Sequence, residues 1–317
     1  MKKALIIGPD FMGYTEKIAE NLSLNQNIQV THINIPRFKY QNTGQRLQNV
    51  FLKNISKDLK FNFREDFIIN KLGDSKFDTI LVLRPDQLSV STIKYLKAKT
   101  SILKTYLYDG INRYPKQLKP LKYFNEVYSF EPNDCKKYGF ISITNFIYDT
   151  TEYSEALNHD KYCLFNITSY DRKRLPVLLK IASILKSRNK SYKIIVKTAK
   201  KINTNLVEII KKPMPFDDVK KLLNTSICML DLGLIKKHRG LTFRVFEAMG
   251  LHKKIITNNS EIANYDFYDP QNILIIDEKN LEIPESFFQS PYNPIPKHIY
   301  NKYTLDFWVQ SVFKELF

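Results

Sequence analysis

Glycine, cysteine and long apolar runs are scarce in this sequence, and each shortage excludes a class of protein. Nine glycines among 317 residues rule out collagen-like and linker-like chains, and no apolar run approaches the roughly 20 residues that span a bilayer. The opening run at residues 4–7 is too short for a signal peptide. Three scattered cysteines, Cys135, Cys163 and Cys228, indicate buried thiols in a reducing compartment and no disulfide framework. We therefore expect a soluble, cytoplasmic protein.

Several short catalytic motifs are also missing. The sequence has no Asp-x-Asp triplet, which would hold a divalent ion on a diphosphate, and no G-x-x-x-x-G-K-[S/T] phosphate loop. Gly8 and Gly13 lack the middle glycine of a dinucleotide fingerprint, and the five histidines show no metal-ligand spacing. These absences weaken the kinase, dehydrogenase and zinc-enzyme hypotheses. We expect neither a bound metal nor a cofactor.

Positive charge is in excess, because 49 lysines and arginines stand against 32 acidic residues and give a formal net charge of +17. This balance predicts attraction to a polyanion: nucleic acid, a phosphorylated small molecule or an acidic membrane face. The alternative is a lysine-rich surface that is only solvated. Because the sequence has no nucleic-acid reader motif, we expect no nucleic-acid partner.

Short apolar runs alternate with helical spacing along both halves of the chain. The predicted strands are residues 4–7, 28–33, 79–83, 102–108 and 126–130 in the first half and residues 162–167, 193–196, 206–210, 227–232, 254–257 and 273–276 in the second. This alternation predicts the α/β class with doubly wound parallel sheets. We expect two Rossmann-like domains facing a cleft, residues 1–150 and 160–302, with a helix over residues 303–317 packed back on the first.

The strand predicted at residues 227–232 leads through a basic, glycine-containing loop into a helix. Gly240 would let the backbone approach a ligand, the helix start offers free amides, and Arg239 and Arg244 add positive charge. These features predict a diphosphate pocket. Glu247, one helical turn beyond Arg244 on the same face, would accept hydrogen bonds from ribose or sugar hydroxyls. The alternative is an ordinary surface ion pair between Arg244 and Glu247.

The same segment carries a family resemblance. The matching sequences are GLTFRVFEAMG at residues 240–250, KKIITNN at 253–259, YDFY at 265–268 and, more weakly, YDG at 108–110 and YSFEPND at 128–134. They resemble bacterial surface-polysaccharide glycosyltransferases of the GT-B type, which build capsule and lipopolysaccharide. The similarity is strongest over residues 215–277. The loop at residues 234–239 departs from the family pattern, since it lacks the His-Pro and Gln character expected there.

The resemblance implies a nucleotide-sugar donor held by the second domain and a glycan or lipid-linked acceptor held by the first. On that pattern Arg244 faces the donor diphosphate, Glu247 faces the ribose or sugar, and Thr242 supplies a hydroxyl or a helix-start amide to phosphate. Arg172 and Lys197, each placed after a predicted strand, are further candidate phosphate ligands, with a solvated basic face as the alternative for either. Cationic side chains and a helix start would then replace a metal ion.

Glycosyl transfer needs stabilisation of the leaving diphosphate and, with inversion, a base for the acceptor hydroxyl. Asp109, at the end of an apolar strand and before Gly110, is the candidate base and with Glu247 forms the candidate catalytic pair; turn capping is its alternative role. The leading hypothesis is metal-independent sugar transfer to a growing cell-surface glycan, at an acidic inner membrane face. The alternatives are a sugar-phosphate or polyol-phosphate transferase on the same fold and a basic nucleic-acid-binding protein.

Overall fold

The computed structural model of the chain describes residues 1–10, 13–54, 58–150, 161–234 and 239–317. Met1–Thr144 and Leu305–Phe317 form one compact unit, which we call unit 1, and Asn145–Thr304 form unit 2. The change of unit falls a few residues before the boundary expected from the sequence. Most of that expected boundary, residues 151–160, lies outside the described residues.

Unit 1 is built on a six-stranded parallel sheet. Its strands are β1 (Lys2–Gly8), β2 (Ile28–Asn34), β3 (Phe77–Leu83), β4 (Thr100–Leu107), β5 (Glu126–Ser129) and β6 (Ile141–Ser142), in the order β2-β1-β3-β4-β5-β6. Its helices before unit 2 are α1 (Tyr14–Ser23), α2 (Thr43–Asn54), α3 (Leu59–Leu72), α4 (Val90–Ala98), α5 (Leu118–Leu121) and α6 (Pro132–Tyr138). Residues 4–7 of β1 are fully buried, as is typical of a parallel strand covered on both faces.

Unit 2 has a second six-stranded parallel sheet. Its strands are β7 (Tyr162–Ser169), β8 (Tyr192–Lys197), β9 (Glu208–Ile210), β10 (Ser226–Asp231), β11 (Lys254–Thr257) and β12 (Ile273–Ile275), in the order β12-β11-β10-β7-β8-β9. Its helices are α7 (Arg174–Ser187), α8 (Phe216–Asn224), α9 (Phe243–Gly250), α10 (Glu285–Gln289) and α11 (Lys297–Tyr300). Neighbouring residues of β7 belong to different apolar clusters, Leu164 to the one with α7 and Phe165 to the one with α9, so both faces are covered.

These two sheets confirm the predicted α/β class with two Rossmann-like halves, and a strand is found at each of the predicted positions. Cys163 and Cys228 are buried, as expected, and Cys135 is half-buried. Across the described ranges, each helix is too short or too polar to cross a bilayer.

Gly250 ends α9 because two segments come close together there. A Cβ atom at this position would lie 2.1 Å from the carbonyl oxygen of Asp149 and 2.8 Å from Cγ2 of Ile147. Gly250 is the last residue of α9, as the sequence predicts, and the absence of a side chain there also leaves room for the chain as it enters unit 2.

The last segment of the chain completes unit 1. Helix α12 (Leu305–Val312) buries Leu305, Trp308, Val309 and Val312, and the Trp308 ring contacts Tyr106 of β4 edge-on at 5.1 Å between centroids. This apolar face is the one that the helical spacing predicted.

A fully buried lysine fixes this segment to the sheet. Lys104 Nζ, on β4, donates to the carbonyl oxygen of Val312 at 2.7 Å and to Glu315 Oε2 at 2.6 Å. It also lies 3.0 Å from Glu126 Oε2. Burial alone would raise the pKa of Glu126, but hydrogen bonds from Tyr128 and Lys104 hold it below its ordinary value. The ammonium group therefore joins two strands and the end of the chain.

We expect Lys104→Met to lower the free energy of unfolding of unit 1 by about 3 kcal/mol, because two carboxylates lose their shared cation. Trp308 is the single tryptophan and lies in unit 1, so its fluorescence during urea unfolding reports this unit. Lys122→Met, at an exposed lysine of the same unit, is the control. Equal stabilities of the two variants would show that the buried network contributes nothing.

Candidate functional site

Four loops meet at the carboxyl edge of the unit 2 sheet, since the strands that precede them are parallel. They enclose a cavity of about 640 Å³, within the range of small-molecule sites. The lining residues are Asp171, Arg172, Lys173 and Arg174 after β7, Gly233 and Leu234 after β10, Asn258 after β11, and Ile276, Asp277, Glu278 and Lys279 after β12. Of these residues, only Arg172 is among the site residues predicted from the sequence.

Both acidic and basic side chains line this cavity, and they differ in whether they already have hydrogen-bond partners. Asp171 Oδ1 accepts from the backbone N–H groups of Lys173, at 2.8 Å, and Arg174, at 3.2 Å, so this carboxylate caps the start of α7. The Arg174 guanidinium donates to the Thr168 hydroxyl. Arg172 is exposed on the rim, and no described residue is seen to hold its guanidinium by a hydrogen bond or ion pair. Arg172 is therefore available to meet an incoming anion, as are the exposed lysines Lys173 and Lys279 of the same lining.

Two consecutive asparagines after β11 fix the two ends of the loop that follows β10. Asn258 accepts from the Gly233 N–H at 2.8 Å and donates to the Gly233 carbonyl at 3.1 Å. Asn259 Nδ2 donates to the Arg239 carbonyl at 2.7 Å. Neither residue was predicted from the sequence to have a role in the site. The signal that could have found them is a pair of amides directly after a buried apolar strand.

Asp231, the last residue of β10, organises the start of α9. This carboxylate is only 2% exposed, and it accepts from Thr242 Oγ1 at 2.9 Å and lies 3.5 Å from Arg244 Nη1. Arg244 Nη2 also donates to the carbonyl of Ile167 on β7 at 3.1 Å. The structure thus brings Thr242 and Arg244 together at the ends of two central strands. Asp231 was not among the site residues predicted from the sequence, although an acidic residue at the end of an apolar strand is a recognisable signal.

Arg244 and Glu247 turn to different partners. Glu247 Oε1 accepts from the Tyr148 hydroxyl at 2.8 Å, in a small space that Phe216 and Lys220 also line. The i,i+3 spacing that placed both residues on one face of α9 does not bring their side chains to one point.

The remaining candidate donor residues are distributed around the same edge. Arg239 pairs with Glu261 at 3.0 Å and is 54% exposed. Gly240 is buried directly before Leu241. Lys197 is half-buried at the end of β8, in register with Ser169 at the end of β7. The loop residue His238 lies outside the described residues.

Asp109, the candidate base, follows β4 in unit 1. Arg113 Nη1 donates to its Oδ1 at 2.7 Å, and Gln117 Nε2 donates to its backbone carbonyl at 3.0 Å. The carboxylate thus has an ion-pair partner, and the turn is fixed through its backbone. The predicted role as a base and the alternative role in capping the turn both require Asp109 to lie just after β4. The structure places it there, and this position does not distinguish the two roles.

Arg84, at the end of the neighbouring strand β3, adds a second polar group to this edge of unit 1. Its backbone has a φ of 58°, in the left-handed region, and its guanidinium forms two 2.9 Å hydrogen bonds with Asp86. It lies 4.3 Å from the centroid of the Tyr114 ring.

Tyr108, directly before Asp109, is a further polar group at this edge. Burial raises the pKa of its hydroxyl to about 12, so this phenol is neutral near pH 7 and can donate a hydrogen bond.

Within the parts of the chain that the structure describes, no three His, Cys, Asp or Glu side chains are grouped so that they could hold a metal ion.

No protein-family model and no curated protein matches this chain. Solved structures, however, match it over nearly its whole length. A UDP-GlcNAc 2-epimerase from Neisseria meningitidis shares 12% identity at a TM-score of 0.56, over 100% of this chain and 99% of that one. The lipopolysaccharide outer core galactosyltransferase WaaB shares 11% identity at a TM-score of 0.54, over 99% and 100%. A trehalose-6-phosphate synthase shares 11% identity at a TM-score of 0.60, over 100% and 99%. These similarities show that the chain has the GT-B fold.

We expect Asp231→Ala to lower the free energy of unfolding of unit 2 by about 2 kcal/mol, the scale of hydrogen bonds to a charged group. Circular dichroism during urea unfolding should show the loss while Trp308 fluorescence, which reports unit 1, stays unchanged. Glu282→Ala removes an exposed acid of the same unit and is the control. If Asp231→Ala unfolds like this control, Asp231 does not organise the start of α9.

Proposed function

We propose that the chain is a glycosyltransferase that takes a nucleotide-sugar donor in the cavity of unit 2 and adds the sugar to a growing cell-surface glycan. The observation that carries this proposal is the run Arg172-Lys173-Arg174 on a cavity of about 640 Å³ at the carboxyl edge of a parallel sheet. Open parallel sheets bind their ligands at this edge. Capsule and lipopolysaccharide are the glycans that the sequence resemblance favours.

The cavity has a suitable group for each part of such a donor. Arg172 and Lys279 would pair with the diphosphate, and the carboxylates of Asp277 and Glu278 would accept from ribose or sugar hydroxyls. Ile276 supplies apolar contact for a base. Proteins with the same fold support this class of ligand: the Neisseria meningitidis epimerase was solved bound to UDP-GlcNAc, and the trehalose-6-phosphate synthase was studied for glycosyl transfer with retention.

The start of α9 would extend the donor site. Asp231, which holds Thr242 and Arg244, lies two residues before Gly233 of the cavity lining. We assign Arg244 to the diphosphate, with Thr242 and the backbone after Gly240 as further donors to phosphate. In this proposal fixed cations stabilise the leaving diphosphate without a metal ion.

Two further assignments require a change of partner, and a third adds a cation. Arg239 would exchange Glu261 for phosphate, and Glu247 would exchange the Tyr148 hydroxyl for a ribose or sugar hydroxyl. Lys197, at the end of β8, would supply a further cation. These roles stay predictions, and they are separable from the role of Arg172.

The acceptor would use unit 1. Asp109 would take the proton of the acceptor hydroxyl if transfer inverts the sugar, which requires release from Arg113. The fold shared with a galactosyltransferase of the lipopolysaccharide outer core supports a cell-surface glycan or its lipid-linked precursor as acceptor.

Nucleotide-sugar epimerisation is the competing function, favoured by the structural similarity to a UDP-GlcNAc 2-epimerase. We expect purified protein, given nucleotide sugars and a panel of octyl glycosides, to release nucleoside diphosphate only when an acceptor is present. EDTA should leave that activity intact. Mass spectrometry and chromatography of the products check both statements. Conversion of the donor to an isomer without an acceptor would establish the epimerase instead, and loss of transfer in EDTA would overturn the metal-free proposal.

We expect Arg172→Gln to weaken the binding of nucleoside diphosphate roughly 10- to 150-fold, the equivalent of one charged hydrogen bond. Calorimetry with UDP, GDP and CDP measures this effect and identifies the base. Lys186→Gln is the matched control, because it removes an exposed cation about 18 Å from the start of α7, near the far end of that helix. Unchanged affinity of Arg172→Gln for a nucleotide that the wild type binds would remove Arg172 from the site.

A further inference from the structure

Helix α2 of unit 1 presents its large apolar side chains outward. Leu47 is 65% exposed, Val50 58% and Phe51 74%. Their i, i+3 and i+4 spacing places them in one stripe along the helix. Scattered exposed leucines are ordinary in soluble proteins, but three such side chains on one helical face form a patch.

The inward side of α2 is polar, which fixes this orientation. Asn49 is 1% exposed; its Nδ2 donates to the Tyr40 hydroxyl at 2.8 Å and to Asp58 Oδ1 at 3.1 Å, and its Oδ1 accepts from the Leu59 N–H at 2.8 Å. Rotating α2 to bury the apolar stripe would break these three bonds and leave a buried amide unpaired. The stripe is therefore a stable feature of the surface.

The chain around α2 carries charge of one sign. Between Glu20 and Asp58 there is no acidic residue. The cations of this stretch are Arg37, Lys39, Arg46, Lys53 and Lys57. Arg37, Lys39 and Arg46 are exposed. An apolar stripe beside cations is the pattern of a helix that lies in the interface of an anionic bilayer, with side chains among the acyl chains and cations at the headgroups.

Aromatic side chains lie in the segments that flank α2 in the chain. Phe63 of α3 is 38% exposed and contacts Phe38 edge-on, at 5.5 Å between ring centroids, and Phe38 in turn contacts Tyr40 at 5.1 Å. Aromatic rings are favoured at the level of the headgroups.

We propose that α2, with Arg46 on the helix and the exposed Arg37 and Lys39 shortly before it in the chain, is the docking surface by which unit 1 lies on an anionic membrane. A second copy of the chain fits this surface less well, because a symmetric contact would bring two acid-free, cationic stretches together. A polyanion without apolar groups would leave Leu47, Val50 and Phe51 in water. This inference goes beyond the proposed function and does not depend on the donor cavity.

The test is flotation of the full chain with vesicles of phosphatidylglycerol and phosphatidylcholine, against vesicles of phosphatidylcholine alone. We expect binding only to the anionic vesicles, weakened by salt. The double variant Val50→Asn with Phe51→Asn should lose at least tenfold in binding. The matched control is Leu24→Asn with Phe307→Asn, which removes two exposed apolar side chains of unit 1 elsewhere, 77% and 48% exposed, and should bind like the wild type.

A second double variant, Arg37→Gln with Lys39→Gln, tests the contribution of the cations. It should weaken binding to the anionic vesicles about fivefold for each cation lost. Lys119→Gln with Lys186→Gln removes the same charge from exposed positions elsewhere and is its control. All the substituted side chains are exposed, so each variant should have the melting temperature of the wild type. The proposal is overturned if the wild type ignores anionic vesicles, if the α2 variants bind as well as their controls, or if sedimentation shows a dimer that the Val50/Phe51 variant dissolves.

Discussion

Parallel pairing of β7, β10, β11 and β12 is the constraint on which the candidate site depends. Since these strands run in one direction, four loops that are distant in sequence open at one edge and line one cavity. The sheet itself contributes apolar packing on both faces, so polar side chains collect at the edge, where the loops supply hydrogen-bond partners. The strand order determines where the candidate site lies, and the loop residues determine which ligands it could bind.

Buried polar groups give this edge its shape. Asp231 cannot remain unpaired at 2% exposure, so it holds Thr242 and Arg244, and through them the start of α9, against the ends of two strands. Asn258 and Asn259 do the same for the loop after β10. A site that must receive a charged ligand gains rigidity when its supports are hydrogen bonds whose loss is costly.

Most of the fold could be predicted from the sequence because the central strands are short apolar runs, and burial on both faces leaves that signal intact. The exposed two-residue strand β6 has no such run and was not predicted. Helix α2 could not, because its polar residue Asn49 faces inward and its apolar stripe faces out, which reverses the usual pattern. The candidate donor residues were predicted to follow strands of the second half, and the structure places Arg172 among the cavity lining and the others outside it. Its connections were not predictable: Arg244 meets Asp231 and Glu247 meets Tyr148, and no local spacing specifies contacts between elements that are far apart in the chain.

The placement of Glu315 against Lys104 has a consequence for how the molecule is made on the ribosome. The lysine is synthesised early, whereas its carboxylate partner belongs to a segment that emerges only after all of unit 2. Until then unit 1 lacks the helix that covers Tyr106, and the Lys104 ammonium has Glu126 but neither Glu315 nor the Val312 carbonyl as partner. The middle of the polypeptide can therefore reach its native state before the part that was translated first, and the order of maturation runs against the order of synthesis.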